Sequence, residues 1–498
     1  MIQIGKRTFK FRPYDWQMKA IEECERRNYY ALFADMGTGK TCCAINILRD
    51  KYFKSKKLLN TLIVSPVATL YNWKDEVLKS SWIKENDIVL LANGTGAKKT
   101  KQFEDAVIDR VTNKLVHPKI VIVNYETLVA SSSLMSAIIE WGPTCLVLDE
   151  AHYIKNPSAQ RSKKMFALAQ LAKYRFVLTG TPILNSVADI FQVYKILDLG
   201  LTFGKNYHVF KNKYMKDENI FMRGKTQKYF PKWVTNADTI DELQEKIYRN
   251  AVRVMKSECL DLPPLIKKTI YVDLSPEQAK YYKEMKRDFI CFVKEKMKNK
   301  EIHGAVVAQL AVTKALRLMQ IVTGYLPLDS GEEIEIAKNP RLEKVKELLE
   351  ELSGQHKIIL WCSFKKNYEQ LSRICNELKL KHVFITGEQN AKEKQNSIVE
   401  FDKDPDTRVV IANRRAGGLG INLIRASYAI NYSRNFSLGE EEQSEARNYR
   451  GGSEIHEQII KIDLCAKGTI DEDCLEALRG KKDLSVKIID LVNKMEEK

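Results

Sequence analysis

Short, nearly unbroken apolar runs recur along the first 200 residues, each ending in polar side chains: Tyr29 to Phe33, Thr61 to Ser65, Ile88 to Leu91, Lys119 to Asn124, Leu146 to Leu148 and Phe176 to Thr179. Runs of this length bounded by polar turns read as buried strands. Between them, Cys42 to Leu48 continues without a breaker as a helix, and Leu70-Tyr-Asn72-Trp73-Lys74 opens another. Strands alternating with helices predict a mostly parallel sheet covered on both faces. From about Gly200 the alternation gives way to basic and aromatic residues, and from Ser275 to long polar helices. It resumes with strands at Lys357 to Cys362, His382 to Thr386, Val409 to Asn413, Tyr428 to Tyr432 and Gln458 to Leu464, and a helix at Asn367 to Leu378. The pattern predicts an α/β chain: a parallel-sheet lobe over 1–200, a basic, mainly helical insertion and linker over 201–340, a second lobe over 341–480 and a tail over 481–498.

Composition narrows the class. A chain of 498 residues, 44% hydrophobic and 29% charged, suits two or three globular domains. No apolar run approaches the roughly 18 residues of a membrane span, and the first residues lack the apolar stretch of a secretory signal, so the expectation is a protein of the cell interior with no membrane partner. Ten cysteines show no Cys-x-x-Cys spacing and read as reduced, structural thiols. A net charge of +17 favours a polyanionic partner. It concentrates at Lys205 to Lys232, where Lys and Arg interleave with Tyr207, Phe210, Tyr214, Phe221, Tyr229 and Phe230, while Lys280 to Lys300 has the spacing of a solvated helix face.

Two motifs carry candidate chemistry. Ala34-Asp-Met-Gly37-Thr38-Gly39-Lys40-Thr41 lies between a predicted strand and a predicted helix, the context in which consecutive backbone N–H groups cradle a phosphate. Lys40 would add positive charge and Thr41 a hydroxyl for Mg²⁺. Alone, a short Gly-Lys-Thr turn is also compatible with an ordinary loop, the less favoured reading in this context. Asp149-Glu150 ends a buried strand, where Asp149 can hold Mg²⁺ through water and Glu150 can orient and deprotonate an attacking water; an isolated pair is also a common acidic turn. Arg447 and Arg450, three apart and therefore on one face if helical, could reach phosphates as arginine fingers or simply pair with Glu440, Glu441, Glu442 and Glu445. Gln17, at the start of an amphipathic helix, could read an adenine edge or be surface decoration.

In order, these residues resemble the superfamily-two helicase-like ATPases and, within them, the SWI/SNF-like double-stranded DNA translocases. Asp149-Glu-Ala-His152 and Leu178-Thr179-Gly-Thr181-Pro182 are similar to the family's hydrolysis and coupling motifs, Val252-Arg253-Val-Met-Lys256 with Pro263-Pro264 to its interlobe linker, and Gln443 to Arg450 to its arginine-finger motif. The resemblance implies two RecA-like lobes, ATP and Mg²⁺ as cofactors, and Gln17, Gly37, Thr38, Gly39, Lys40 and Thr41 at the nucleotide. It implies coupling roles for His152, Thr179, Thr181 and Gln443, and DNA contacts at Pro66, Asn72, Trp73, Asn124, Tyr125, Arg414, Gly417, Gly418 and Asn422. Departures are Asn413-Arg414 ahead of the Ala-Gly-Gly run and Gly451-Gly452-Ser453 after Arg450. The implied function is a monomeric ATP-driven motor on duplex DNA, with a DNA-bound protein as a further partner; it would be cytoplasmic and nucleoid-associated in a prokaryote or virus, nuclear in a eukaryote. A strand-separating or annealing helicase on forked DNA or RNA, and a nucleotide-gated factor acting on a DNA-bound protein, are the alternatives.

Overall fold

The computed structural model describes residues 2–5, 7–56, 58–109, 114–115, 119–180, 187–219, 233–259, 261–298, 315–327, 332–417, 421–435 and 437–480. Its chain divides into two compact units, Met1–Leu260 and Asp261–Lys498.

The first unit is built on seven strands: β1 (Tyr29–Ala34), β2 (Thr61–Ser65), β3 (Ile88–Leu91), β4 (Ile120–Asn124), β5 (Cys145–Asp149), β6 (Tyr174–Thr179) and β7 (Ala251–Val254). They are hydrogen-bonded in the order β7-β1-β6-β5-β2-β4-β3, every pair parallel. A parallel strand covered on both faces must be apolar at consecutive positions, and β2 and β4 are buried throughout. Alternate side chains then feed two cores. Leu62, Val64, Val121 and Val123 pack with Phe103, Leu134, Met165 and Ile190 from helices on one face. Ile63, Ile120, Ile122 and Val147 pack with Ala20, Ile47, Trp73 and Val77 from helices Asp15–Cys24, Lys40–Ser55 and Leu70–Ser80 on the other. Each such enclosed aliphatic side chain contributes about 1.5–3 kcal/mol.

The second unit repeats the plan with β8 (Leu265–Val272), β9 (Lys357–Cys362), β10 (Lys381–Ile385), β11 (Thr407–Asn413), β12 (Ala426–Asn431) and β13 (Ile459–Ala466), ordered β8-β13-β12-β9-β11-β10 and all parallel. A buried ion network ties its chain together. Arg434 donates to Asp463 and Asp471 at 3.1 Å each, Arg341 pairs with Asp471, and Asn431 donates to Asp463 at 2.6 Å. Helix Pro276–Lys298 docks through Tyr282, whose hydroxyl accepts from the Ile470 backbone at 2.7 Å.

One expectation is corrected. The stretch 201–340 is not one insertion, because β7 completes the first sheet and β8 begins the second, so it divides at Leu260. Among the described aromatics of the basic stretch, Phe210 and Tyr214 are buried, with ring centroids 5.1 and 5.8 Å from Phe203. Lys213 and Lys216 pair with Glu242 and Asp238 at 2.6 and 2.5 Å. Residues 220–232 of that stretch lie outside the described residues.

Candidate functional site

Three neighbouring strands, β1, β6 and β5, end side by side. Thr179 pairs with Phe33 and Leu178 with Asp149, so the turns that follow Ala34, Thr179 and Asp149 leave one carboxyl edge, where parallel sheets place ligands. After β1 the chain takes left-handed backbone at Gly37 (φ +86°) and Gly39 (φ +88°) and enters helix Lys40–Ser55, whose first N–H groups and dipole face the loop. Thr38 Oγ1 donates to the Asp35 carbonyl at 2.7 Å and fixes the turn. Lys40 Nζ donates to the Ala34 and Asp35 carbonyls at 2.6 and 3.1 Å, which holds the ammonium over the loop, while the Thr41 side chain is half-buried one position on. Gln17 is buried; its Oε1 accepts from Tyr14 N at 2.9 Å and its Nε2 donates to the Gly39 carbonyl at 3.0 Å.

At the end of β5, Asp149 Oδ2 accepts from Trp73 Nε1 at 2.8 Å, Oδ1 accepts from Glu150 N at 3.0 Å, and the Asp149 carbonyl accepts from Tyr125 OH at 2.7 Å. Burial and the adjacent Glu150 push the Asp149 carboxyl up to about 6, against the downward pull of Trp73 and Lys40. Glu150 has left-handed backbone (φ +49°), a conformation that costs on the order of 1–3 kcal/mol in a non-glycine residue and persists where surrounding bonds over-determine it. Here its carbonyl accepts from Tyr153 N at 2.9 Å, and its Oε2 lies 3.2 Å from His152 Nδ1.

The donor set fits Mg²⁺ bound together with phosphates. A carboxylate and a hydroxyl are hard oxygen ligands, each Asp149 oxygen keeps acceptor capacity beyond its one hydrogen bond, and two adjacent buried acids are the electrostatic demand that a divalent cation meets. No cluster of three or more His, Cys, Asp or Glu among the described residues forms a metal cage of protein groups alone.

Several residues expected at DNA have enclosed side chains. Trp73 (1% exposed) and Tyr125 (0%) are enclosed and committed to Asp149. Pro66 and Asn124 are buried, the latter accepting from Thr127 Oγ1 at 2.6 Å. Arg414 is 1% exposed and paired with Glu441, whereas the next side chain, Arg415, is 87% exposed, 3.3 Å from Glu440. Asn72 is half-buried and Asn422 exposed, so both reach the surface. Gly417 closes the short helix Arg414–Gly417; Gly418 and Thr181 lie outside the described residues.

The helical reading of the two arginines fails as well. Helix Leu438–Glu445, which carries half-buried Gln443, ends before them, and Arg447 and Arg450 lie in the turn that leads to Gly452 (φ +100°). Arg447 is buried, with Nη1 3.4 Å from the Ile421 carbonyl. Two glutamates of that helix serve other cations: Glu441 pairs with Arg414 and Lys461, and Glu445 with Lys461 and Lys267 at 3.2 and 2.7 Å.

Residues 18–323 match the SNF2-related domain and residues 340–452 the helicase conserved C-terminal domain. The chain is 26% identical over 95% of its length to an uncharacterised ATP-dependent helicase of Mycoplasma genitalium and 28% identical over 97% to one of Mycoplasma pneumoniae. It is 27% identical over 90% of its length to a DNA annealing helicase and endonuclease of Homo sapiens. It spans 41%, 42% and 37% of these three proteins, well under half of each. The Sulfolobus solfataricus SWI2/SNF2 ATPase core in complex with dsDNA, 25% identical, aligns over 99% of this chain and 96% of its own at a TM-score of 0.42. With the SNF2-related match running from 18 to 323, more than half of 498 residues, the chain belongs to the SNF2-related family of helicase-like ATPases.

Proposed function

We propose that the chain is an ATP-driven motor that moves along double-stranded DNA and remodels DNA or the proteins bound to it. The observation that carries this reading is the shared edge of β1, β6 and β5, which brings the Lys40 loop, Thr179 and the Asp149-Glu150 pair together. The loop amides and Lys40 bind the phosphates, and Gln17 holds the loop to the segment ahead of it. Glu150, aimed by its turn toward His152, orients and deprotonates water. Asp149 and Thr41 would hold Mg²⁺, which would supply charge to neutralise the phosphates. Thr179 reports the nucleotide state along the edge, and Arg447 and Arg450 act on the transferring phosphoryl group, as the family resemblance assigns. Contacts to the sugar-phosphate backbone position the protein without reading sequence, in keeping with the net charge of +17.

The test is ATP turnover at fixed salt with duplex, forked, single-stranded and RNA cofactors. Stimulation is expected to be greatest with duplex; a preference for RNA or single strands rejects the reading, and displacement of a forked strand favours the unwinding alternative. Lys40→Ala and Glu150→Gln are expected to abolish turnover while duplex binding persists. Turnover that survives in both removes the site.

A further inference from the structure

Two of the segments that the family resemblance assigns to DNA, Pro66 to Trp73 and Asn124-Tyr125, converge in the folded chain on a single buried residue. From the first, Trp73 Nε1 reaches Asp149 Oδ2 at 2.8 Å; from the second, Tyr125 OH reaches the Asp149 carbonyl at 2.7 Å. Both side chains are enclosed, at 1% and 0% exposure, so neither touches a polymer lying on the surface. Each is nevertheless joined to groups that do reach solvent. Val67 (54% exposed) and half-buried Asn72 precede Trp73 on the same short stretch, and the helix Leu70–Ser80 runs on from that edge. Glu126, exposed and next to Tyr125, pairs with Arg161 at 3.0 Å. The Arg161 guanidinium lies 4.9 Å from the ring of Tyr153, which stacks on Tyr125 at 5.6 Å with 10° between planes.

We propose that Trp73 and Tyr125 are positioning residues through which DNA on the sheet edge acts on Asp149, so that the DNA-stimulated part of turnover runs through these two hydrogen bonds. A close-packed interior transmits small displacements instead of absorbing them, and a hydrogen bond weakens steeply as its angle opens. Movement of Val67 to Asn72 therefore turns the indole against the carboxylate, and movement of Glu126 and Arg161 shifts the phenol against the Asp149 backbone. One residue is held at its side chain by one segment and at its main chain by the other. This rests on the reading of Asp149 as the carboxylate of the ATP site and of duplex DNA as the activator.

The experiment uses the full chain, with Trp73→Phe, Tyr125→Phe and the double variant. Turnover is measured with and without saturating duplex, duplex Kd by fluorescence anisotropy at the same salt, and Tm by calorimetry. The ratio of stimulated to basal turnover is expected to fall about tenfold in Trp73→Phe, the kinetic equivalent of one hydrogen bond to a carboxylate, and by less in Tyr125→Phe, with duplex Kd within about twofold of the wild type. The double variant is expected to fall short of the product of the two, because both act on the same residue. A purely structural loss lowers basal and stimulated rates in proportion and leaves the ratio unchanged, and that result overturns the proposal. So does a fall in stimulation matched by weaker duplex binding, which makes the side chains direct contacts. Tyr125→Phe removes a single oxygen and decides the matter should Trp73→Phe reduce the folded yield. Absence of duplex stimulation in the wild type sinks the functional reading itself, before any variant is compared.

Discussion

Gln17 donates from Nε2 to the carbonyl oxygen of Gly39 at 3.0 Å, so the helix ahead of the first sheet strand is fastened to the phosphate loop by one amide. The contact depends on glycine at its far end. A Cβ on Gly39 would stand 2.6 Å from Gln17 Nε2, on a backbone whose φ of +88° already disfavours any side chain. The other end of the amide is also engaged, since Oε1 accepts from Tyr14 N at 2.9 Å.

Breaking this brace is expected to weaken nucleotide binding in a graded way. Gln17→Ala removes the loop anchor and is expected to raise the ATP Kd about tenfold, the worth of one lost buried hydrogen bond. Gln17→Glu should cost more, because a carboxylate cannot donate to the carbonyl and brings negative charge beside a phosphate cradle. Isothermal titration with ATP orders the three proteins; Gln17→Glu binding as tightly as the wild type refutes the brace.

Neighbouring arginines at the end of β11 are expected to behave oppositely. Arg414, 1% exposed and paired with Glu441, is structural: Arg414→Ala should destabilise the second unit by about 3 kcal/mol, since it strips the partner from a buried charge. Arg415, 87% exposed and held by a surface pair with Glu440, can turn to phosphate: Arg415→Ala should leave Tm unchanged and lower the slope of log K against log salt for duplex binding by about one. Tm and salt-dependent anisotropy separate the two. An unaltered salt slope in Arg415→Ala removes that side chain from the DNA surface.

The contrast between these arginines shows where sequence reading stops. Central strands such as Thr61–Ser65 announce themselves because a parallel strand covered on both faces has to be apolar at successive positions. One edge strand of each sheet does not: Leu265–Val272 carries exposed Lys267 and Lys268 in mid-strand, and Ala251–Val254 is only four residues long, so both read as linker. The phosphate loop and Asp149-Glu150 are legible since local backbone and local chemistry fix them together. The enclosure of Trp73 and Arg414 is not legible because the side a residue faces is decided by partners 76 and 27 positions away, Asp149 and Glu441. Arg447 and Arg450 have helical spacing, yet their helix closes at Glu445 and the chain turns toward Gly452 in left-handed backbone.

Asp35 extends the influence of the loop to the exit of the first unit. Its Oδ2 accepts from Lys256 N at 3.1 Å and its own N–H donates to the Val254 carbonyl at 3.0 Å, which ties the end of β7 to the residue after β1. Asp35→Ala is expected to release the Lys256 amide and raise its hydrogen-exchange rate about tenfold, roughly one hydrogen bond of local protection. Exchange followed by mass spectrometry on a peptide covering 251–259 provides the check. Equal exchange in variant and wild type shows that the tether carries no local stability.

Acid stability of the second unit is expected to hinge on Glu441. Burial pushes its carboxyl up, but Arg414, Lys461 and Arg434 outweigh that and hold it well below its ordinary value of 4.5. The folded state therefore gives up this proton more readily than the unfolded chain does. The stabilisation is complete above about 4.5, the unfolded value, and is lost as pH falls through the depressed folded one. Glu441→Gln leaves Arg414 and Lys461 facing a neutral amide and should cost about 3–5 kcal/mol at pH 7. The gap to the wild type should narrow by about 1.4 kcal/mol for each pH unit below 4.5, because only the wild type still has that ionisation to lose. Urea unfolding followed by circular dichroism at several pH values measures both. A gap as wide at pH 3 as at pH 7 means that the carboxylate of Glu441 is not what holds this cluster of cations.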